Sequence, residues 1–175
     1  MKRTITILAV ILTVTFLLTT QKSEAMEKKN VGKITVLKYT LKTSIAAMTT
    51  DVGNTANEMV AKATELGLEV TGPQIWQYDG CDGKPDTKFT LDICIPIKEA
   101  KGNAGKYVFA ELPEFTCISE IHKGSWSTSM NAYERIMGEM SRKGMMPGNI
   151  SREIYIVSDF VNQENCITEI QMQAF

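Results

Sequence analysis

The sequence predicts an α+β domain of two β-α-β-β repeats in pseudo-twofold arrangement, with an antiparallel sheet and a central cleft. Three observations carry that prediction. Two segments of helical character are each closed by a glycine, runs of period-two alternation flank both of them, and the two halves align at one constant offset. The offset is 77 positions, since 144 − 67, 155 − 78 and 169 − 92 agree, pairing Gly67 with Gly144, Tyr78 with Tyr155 and Asp92 with Glu169. Neither half alone could cover its sheet, so the two should associate about a twofold axis.

In chain order, Lys2 and Arg3 precede an uncharged apolar and threonine run from Thr4 to Thr20, followed by Ser23, Glu24 and Ala25. That pattern is a secretory signal peptide: its apolar core falls short of the roughly 20 apolar residues of a spanning helix, and Ser23 with Ala25 supplies the small residues of a cleavage site. Residues 1–25 are expected to be removed, leaving an exported form, periplasmic or secreted, that begins at Met26 and has no stable membrane insertion. An uncleaved anchor is the alternative. Residues 26–175 are then one domain's worth of chain, with halves at about 31–97 and 106–175.

The first half reads as a strand from Ile34 to Leu41, a helix from Asn54 to Leu66 stopped by Gly67, and strands from Gln74 to Tyr78 and Thr87 to Ile97, parted by Gly80, Gly83 and Pro85. Lys98 to Lys106, with Gly102 and Gly105, is the linker. The second half repeats the plan with a strand from Phe115 to His122, a helix from Ser129 to Lys143 stopped by Gly144, and strands from Ser151 to Val157 and Cys166 to Ala174 around the break at Ser158 to Asn165. In the second helix Met130, Tyr133, Ile136, Met137 and Met140 recur at three- and four-residue steps, the mark of a core-facing stripe.

The 19 basic and 20 acidic residues nearly cancel and form no basic stripe, which argues against nucleic acid as a partner. Cys81, Cys94, Cys117 and Cys166 could form two bridges in an oxidising compartment or remain buried thiols, and spacing does not choose between these. No Cys-x-x-Cys pair accompanies the single His122, so no metal or other cofactor is expected. A nucleophile elbow and a phosphate-cradling glycine loop are both missing, and no catalytic residue is assigned.

Alternation within the strands selects the candidate ligand-binding residues. Leu91, Ile93, Ile95 and Ile97 form one face of their strand and leave Asp92 and Cys94 on the other. Ile170 and Met172 likewise leave Glu169 and Gln171, and Trp76 with Tyr78 matches Glu153 with Tyr155 across the repeat. The reading puts Glu153, Tyr155, Trp76, Tyr78, Asp92 and Glu169 on one cleft face, with Trp126 at the strand–helix junction as either lid or core anchor. Aromatic walls around carboxylates suit a flat, apolar, aromatic ligand, either neutral or cationic; merely solvated strand residues are the plain alternative for Asp92 and Glu169.

The ordered segments "GPQIWQYDG" from Gly72, "FTLDICIPI" from Phe89, "ELP" from Glu111, "IHKGSWSTSMNAYERI" from Ile121, "REIYIVSD" from Arg152 and "TEIQMQ" from Thr168 resemble the GyrI-like domain, found as the effector-binding part of AraC-type and MerR-type multidrug regulators and as stand-alone proteins. The resemblance implies two β-α-β-β units around a cleft that binds apolar, often cationic, compounds. It also implies a buried cleft glutamate among aromatics, best matched by Glu153 with Tyr155, Trp76 and Tyr78 around it. The expected signal peptide stands where such regulators carry DNA-binding helices, so a transcriptional role is not expected to carry over. Some relatives hydrolyse strained electrophiles, which leaves a hydrolase using Glu153 or Glu169 as the alternative to a binder. A protein–protein adaptor or inhibitor is a third reading.

Overall fold

A computed structural model describes Met26 and residues 28–175; the expected signal peptide lies outside these residues. Eight strands form one antiparallel sheet: β1 Lys28–Val31, β2 Ile34–Thr43, β3 Ile75–Asp79, β4 Phe89–Pro96, β5 Val108–Leu112, β6 Phe115–Lys123, β7 Pro147–Val157 and β8 Ile167–Ala174. Three helices accompany them, α1 Met48–Val52, α2 Thr55–Glu65 and α3 Met130–Arg142. The strand order is β1-β6-β8-β7-β3-β4-β2-β5. It reads as a palindrome about the antiparallel β3–β7 pair, in which Trp76 faces Glu153 and Tyr78 faces Ser151, so the twofold axis predicted from the repeat runs between these two strands.

The short strands β1 and β5 were not legible, and they bind the halves together. Each precedes one half in the chain and pairs with the other half: Val31 pairs with Phe115 of β6, and Ile34 of β2 pairs with Leu112. This pairing repeats at a step of 81, since 112 − 31 and 115 − 34 agree. The links Gly32-Lys33 and Pro113-Glu114 also force the sheet to curl. In a flat sheet β1 and β2 would stand six strand spacings apart, about 29 Å, whereas three Cα–Cα steps reach at most about 11 Å.

The two faces of the curled sheet therefore differ. Helices α2 and α3 pack on the convex face, where Met59 and Ala63 meet Leu37, Leu91, Ile93 and Ile95, and where Ala132, Ile136 and Met140 meet Ile118, Ile170 and Ala174. The concave face encloses Val36, Ile75, Cys94 and Leu112 around Arg152, which is 1% exposed. The Arg152 guanidinium lies over the Phe115 ring at 4.1 Å, donates from Nε to Gln77 at 2.9 Å and from Nη2 to the Pro113 carbonyl at 3.0 Å. These contacts reach from the middle of the sheet to the β5–β6 link and staple the curl. All four cysteines are free thiols, three of them buried, and burial pushes Cys94 up to about 12.

The glycines expected to stop the helices do so, Gly67 at φ +60° and Gly144 at φ +67°. A Cβ at Gly144 would meet nothing within 4 Å, so Gly144→Ala isolates the cost of the left-handed backbone. We expect a loss of about 1 kcal/mol, read as a melting temperature lower by about 2–4 °C.

Candidate functional site

The convex face carries a cleft of about 730 Å³ beside α3, where the β3–β7 junction is left uncovered by either long helix. That volume lies within the ordinary range of small-molecule sites. At its inner end is Glu153 on β7. Tyr133 of α3 donates to Glu153 Oε1 at 3.0 Å, while Tyr78 and Tyr155 donate to Oε2 at 3.0 and 2.6 Å. Tyr78 reaches the carboxylate because strands β3 and β7 are in register; Tyr155 reaches it because residues two apart on a strand share a face. Tyr133 comes from the polar tip of a ring otherwise packed in the α3 stripe.

Enclosure and the Glu153 charge hold all three phenols well above their ordinary range, burial being the larger cause in each case. Part of the Tyr133 and Tyr155 rings remains accessible, while their hydroxyl ends are enclosed. At neutral pH the three groups are donors, and Glu153 is their common acceptor. The apolar walls are Ile45 and Ile150 with four methionines, Met48, Met130, Met137 and Met172. Methionine is adaptable and lets one cavity fit ligands of different outline. Asp82 and Glu134 also line the cleft, and among the described residues no Lys, Arg or His does; Asp82 is paired with Lys84 at 3.0 Å.

Three of the residues picked from sequence thus meet at one carboxylate: Glu153, Tyr78 and Tyr155. Trp76 and Trp126 share the convex face but are absent from the cleft lining. Both stand edge-on behind Tyr155, at 5.4 and 5.8 Å between ring centroids. Asp92 and Glu169 require a correction, because they lie on the opposite, concave face. Asp92 is opposite Gln77 and Glu169 opposite Ile154 in the sheet register, one position out of phase with Trp76 and Glu153. Asp92 bonds Lys38 at 3.2 Å and Thr40, and Glu169 forms an ion pair with Lys29. Alternation sorts residues within one strand, whereas the phase between strands is set by register, which the sequence does not display. His122 is buried with Nε2 3.0 Å from the Ser125 carbonyl, where it braces the turn that carries Trp126.

Tyr133 and the methionine lip were missed because a helical stripe of Met, Tyr and Ile reads as core. The only hint was a hydroxyl on that stripe within one turn of exposed methionines: Met130 and Met137 are 46% and 42% exposed.

An adaptable apolar cleft closing on one phenol-bound carboxylate defines a small-molecule-binding protein. The chain belongs to the GyrI-like small molecule binding domain family, whose profile matches residues 14–174. Among solved structures it is similar to the EcmrR C-terminal domain, at 21% identity and TM-score 0.69, covering 85% of this chain and 96% of that one. It is also similar to SAV2435 bound to tetraphenylphosphonium, at 12% identity and TM-score 0.60 over 86% and 93% of the two chains. A hydrolase encoded by lin2189 from Listeria innocua matches at 13% identity and TM-score 0.61, over 85% and 91%. At these identities the likeness is one of fold. No curated protein sequence matches the chain.

Proposed function

We propose that the protein is an exported binder of bulky, apolar organic cations, which it sequesters or senses in the cleft above Glu153. One observation carries the reading: a carboxylate fixed by three phenols in a methionine-walled cleft that no Lys, Arg or His among the described residues lines. A cation entering there exchanges water for a pre-oriented negative charge and ring faces, and the walls take up its hydrocarbon. Tetraphenylphosphonium on SAV2435 shows that one protein of this fold holds such a ligand. Export rests on the segment from Lys2 to Ala25, and intact mass of the exported material, expected to begin at Met26, tests it.

Calorimetric titration of the purified protein with tetraphenylphosphonium and with the neutral triphenylphosphine oxide tests the binding. Saturable binding with clear preference for the cation is expected; equal affinities would remove the role assigned to Glu153.

The phenol cluster also favours a second reading, a hydrolase of strained electrophiles in which a tyrosine donates a proton to the opening ring and Glu153 assists water. Against it, three donors already occupy most of the acceptor capacity a base would need. Time-dependent conversion of an added electrophile would select the hydrolase. A Glu169-based variant has no footing in the cleft, because Glu169 lies on the concave face beside Lys29.

A further inference from the structure

The duplication that builds the acidic cleft gives it a twofold-equivalent region on the far side of Tyr155, the mate cleft, made of different residues. Ile45 of the acidic cleft corresponds to Trp126 at the step of 81 that relates β2 to β6 (126 − 45), and Gly83 and Glu153 correspond to Phe160 and Trp76 at the step of 77 (160 − 83, 153 − 76). Each change puts an aromatic ring where the acidic cleft has a smaller group. The hairpin loops that carry Gly83 and Phe160 share one feature, an aspartate that caps the tip. The Lys84 N–H donates to Asp82 Oδ1 at 3.0 Å, and the Val161 N–H donates to Asp159 Oδ1 at 3.0 Å. The aspartate cap is therefore shared between the two loops, while the tip changes from Gly-Lys to Phe-Val and the backbone with it, since Gly83 lies at φ +79° and Phe160 has no positive φ.

Phe160 does not behave as a core residue. It is 77% exposed, and Val161 beside it is 99% exposed, yet the Phe160 ring rests on Trp126 at 5.2 Å between centroids. The loop beneath is pinned by Asp159, which also accepts from the Asn162 N–H at 2.8 Å and from Asn165 at 2.8 Å. The ring can thus leave by side-chain rotation alone, a fast motion for an exposed residue. Below it, Trp76 and Trp126 stand edge-on to Tyr155. Both indole N–H groups are already used, by Gln74 at 2.9 Å and by Thr168 at 3.2 Å, so ring surface is what the mate cleft offers. Its electrostatics differ as well: Trp76 stands in place of Glu153, Asn57 in place of Glu134 (134 − 57 is again 77), and the Asp159 carboxylate is consumed by its own loop.

We infer that this mate cleft is a second ligand site, selective for a flat uncharged aromatic ring, in which Phe160 occupies the ligand's place and swings out when the ligand enters. The acidic cleft takes charge and bulk; the mate takes a planar ring stacked on Trp126 beside Trp76 and Tyr155. The protein presents two sites of different chemistry from one duplicated plan.

Coumarin, a neutral planar bicycle, is the probe, and the chain reports on itself. Its only two tryptophans are Trp76 and Trp126, so the two indole N–H resonances read the mate cleft, while the methyl resonances of Met130 and Met137 read the acidic one. Coumarin should shift both indole resonances saturably and leave the two methyls in place. Phe160→Gly, which installs the residue of the sister loop, should tighten coumarin binding roughly tenfold by removing the competing ring. Phe160→Ser should do the same, and both variants should stay folded because the replaced ring is exposed. Shifts of the methyls without the indoles would move the probe to the acidic cleft and overturn the proposal. Indole resonances that do not respond in any of the three proteins, or equal affinity in all three, would also overturn it and leave the rings as a structural plug. None of these readouts depends on whether the acidic cleft binds a cation.

Discussion

Glutamine in place of Glu153 should weaken tetraphenylphosphonium binding by roughly 2–5 kcal/mol, the range found when one partner of a desolvated charge pair is removed. The substitution keeps the outline of the side chain, so the methionine walls that grip the hydrocarbon remain. The charge is lost, and with it the reason for a cation to leave water for an apolar cleft. Triphenylphosphine oxide, similar in shape and neutral, should lose much less. Some common loss is expected for both ligands, because the glutamine amide presents N–H donors to hydroxyls that now donate to Glu153. Calorimetry of both ligands on both proteins isolates the charge-specific part, and circular dichroism checks that the variant is folded. Equal losses would make Glu153 a structural acceptor for its three tyrosines. No loss for either ligand would place binding away from this carboxylate.

How much of this site could be read from the sequence depended on which periodicity set each residue's position. The step of 77 matched Glu153 with Trp76 and Tyr155 with Tyr78, and in the structure Trp76 faces Glu153 while Tyr78 faces Ser151, two residues from Glu153 on the same face. A repeat reports on spatial symmetry directly, so these residues came out together. Asp92 and Glu169 also satisfied the step, but the repeat states that two residues are equivalent and is silent about which face they share with a third. Only the ladder register fixes that, and it places both on the concave face. Ile154, an apolar residue next to Glu153, packs against the concave core with Ile75 and Cys94, because a sheet curled on itself has two interiors. The two long helices α2 and α3 and six principal strands were legible from glycine stops and alternation, whereas the five-residue α1 was not. The strands β1 and β5 were not: KKNV of β1 carries little apolar signal, VFAEL of β5 is apolar but too short to show alternation, and both owe their conformation to partners in the other half.

Raising the pH above 10 should unfold the protein steeply, driven by the tyrosines around Glu153. An unfolded tyrosine ionises near pH 10, whereas Tyr78, Tyr133 and Tyr155 are held well above that value by burial and by the adjacent carboxylate. Below pH 10 native and unfolded chains both keep these three protons, and their contribution to stability is complete. Above it the unfolded chain releases them while the native state retains them, so the unfolded state binds fewer protons and stability falls as pH rises. The slope is about 1.4 kcal/mol per pH unit for each phenol, or about 4 kcal/mol for the three. Cys94, pushed up to about 12, acts in the same direction, and Arg152, brought down to about 10 by its burial, acts in the opposite one, so these two largely offset each other. A domain of ordinary stability, about 5–15 kcal/mol, should then lose its fold within a few pH units above 10. A pH titration followed at 295 nm and by far-ultraviolet circular dichroism checks this. Of the chain's five tyrosines, three should ionise only together with the loss of secondary structure, and Tyr133→Phe should reduce the slope by about a third. If all five ionised near pH 10 with the circular dichroism unchanged, the phenols would be open to solvent, and Glu153 would sit in water rather than at the closed end of a cleft.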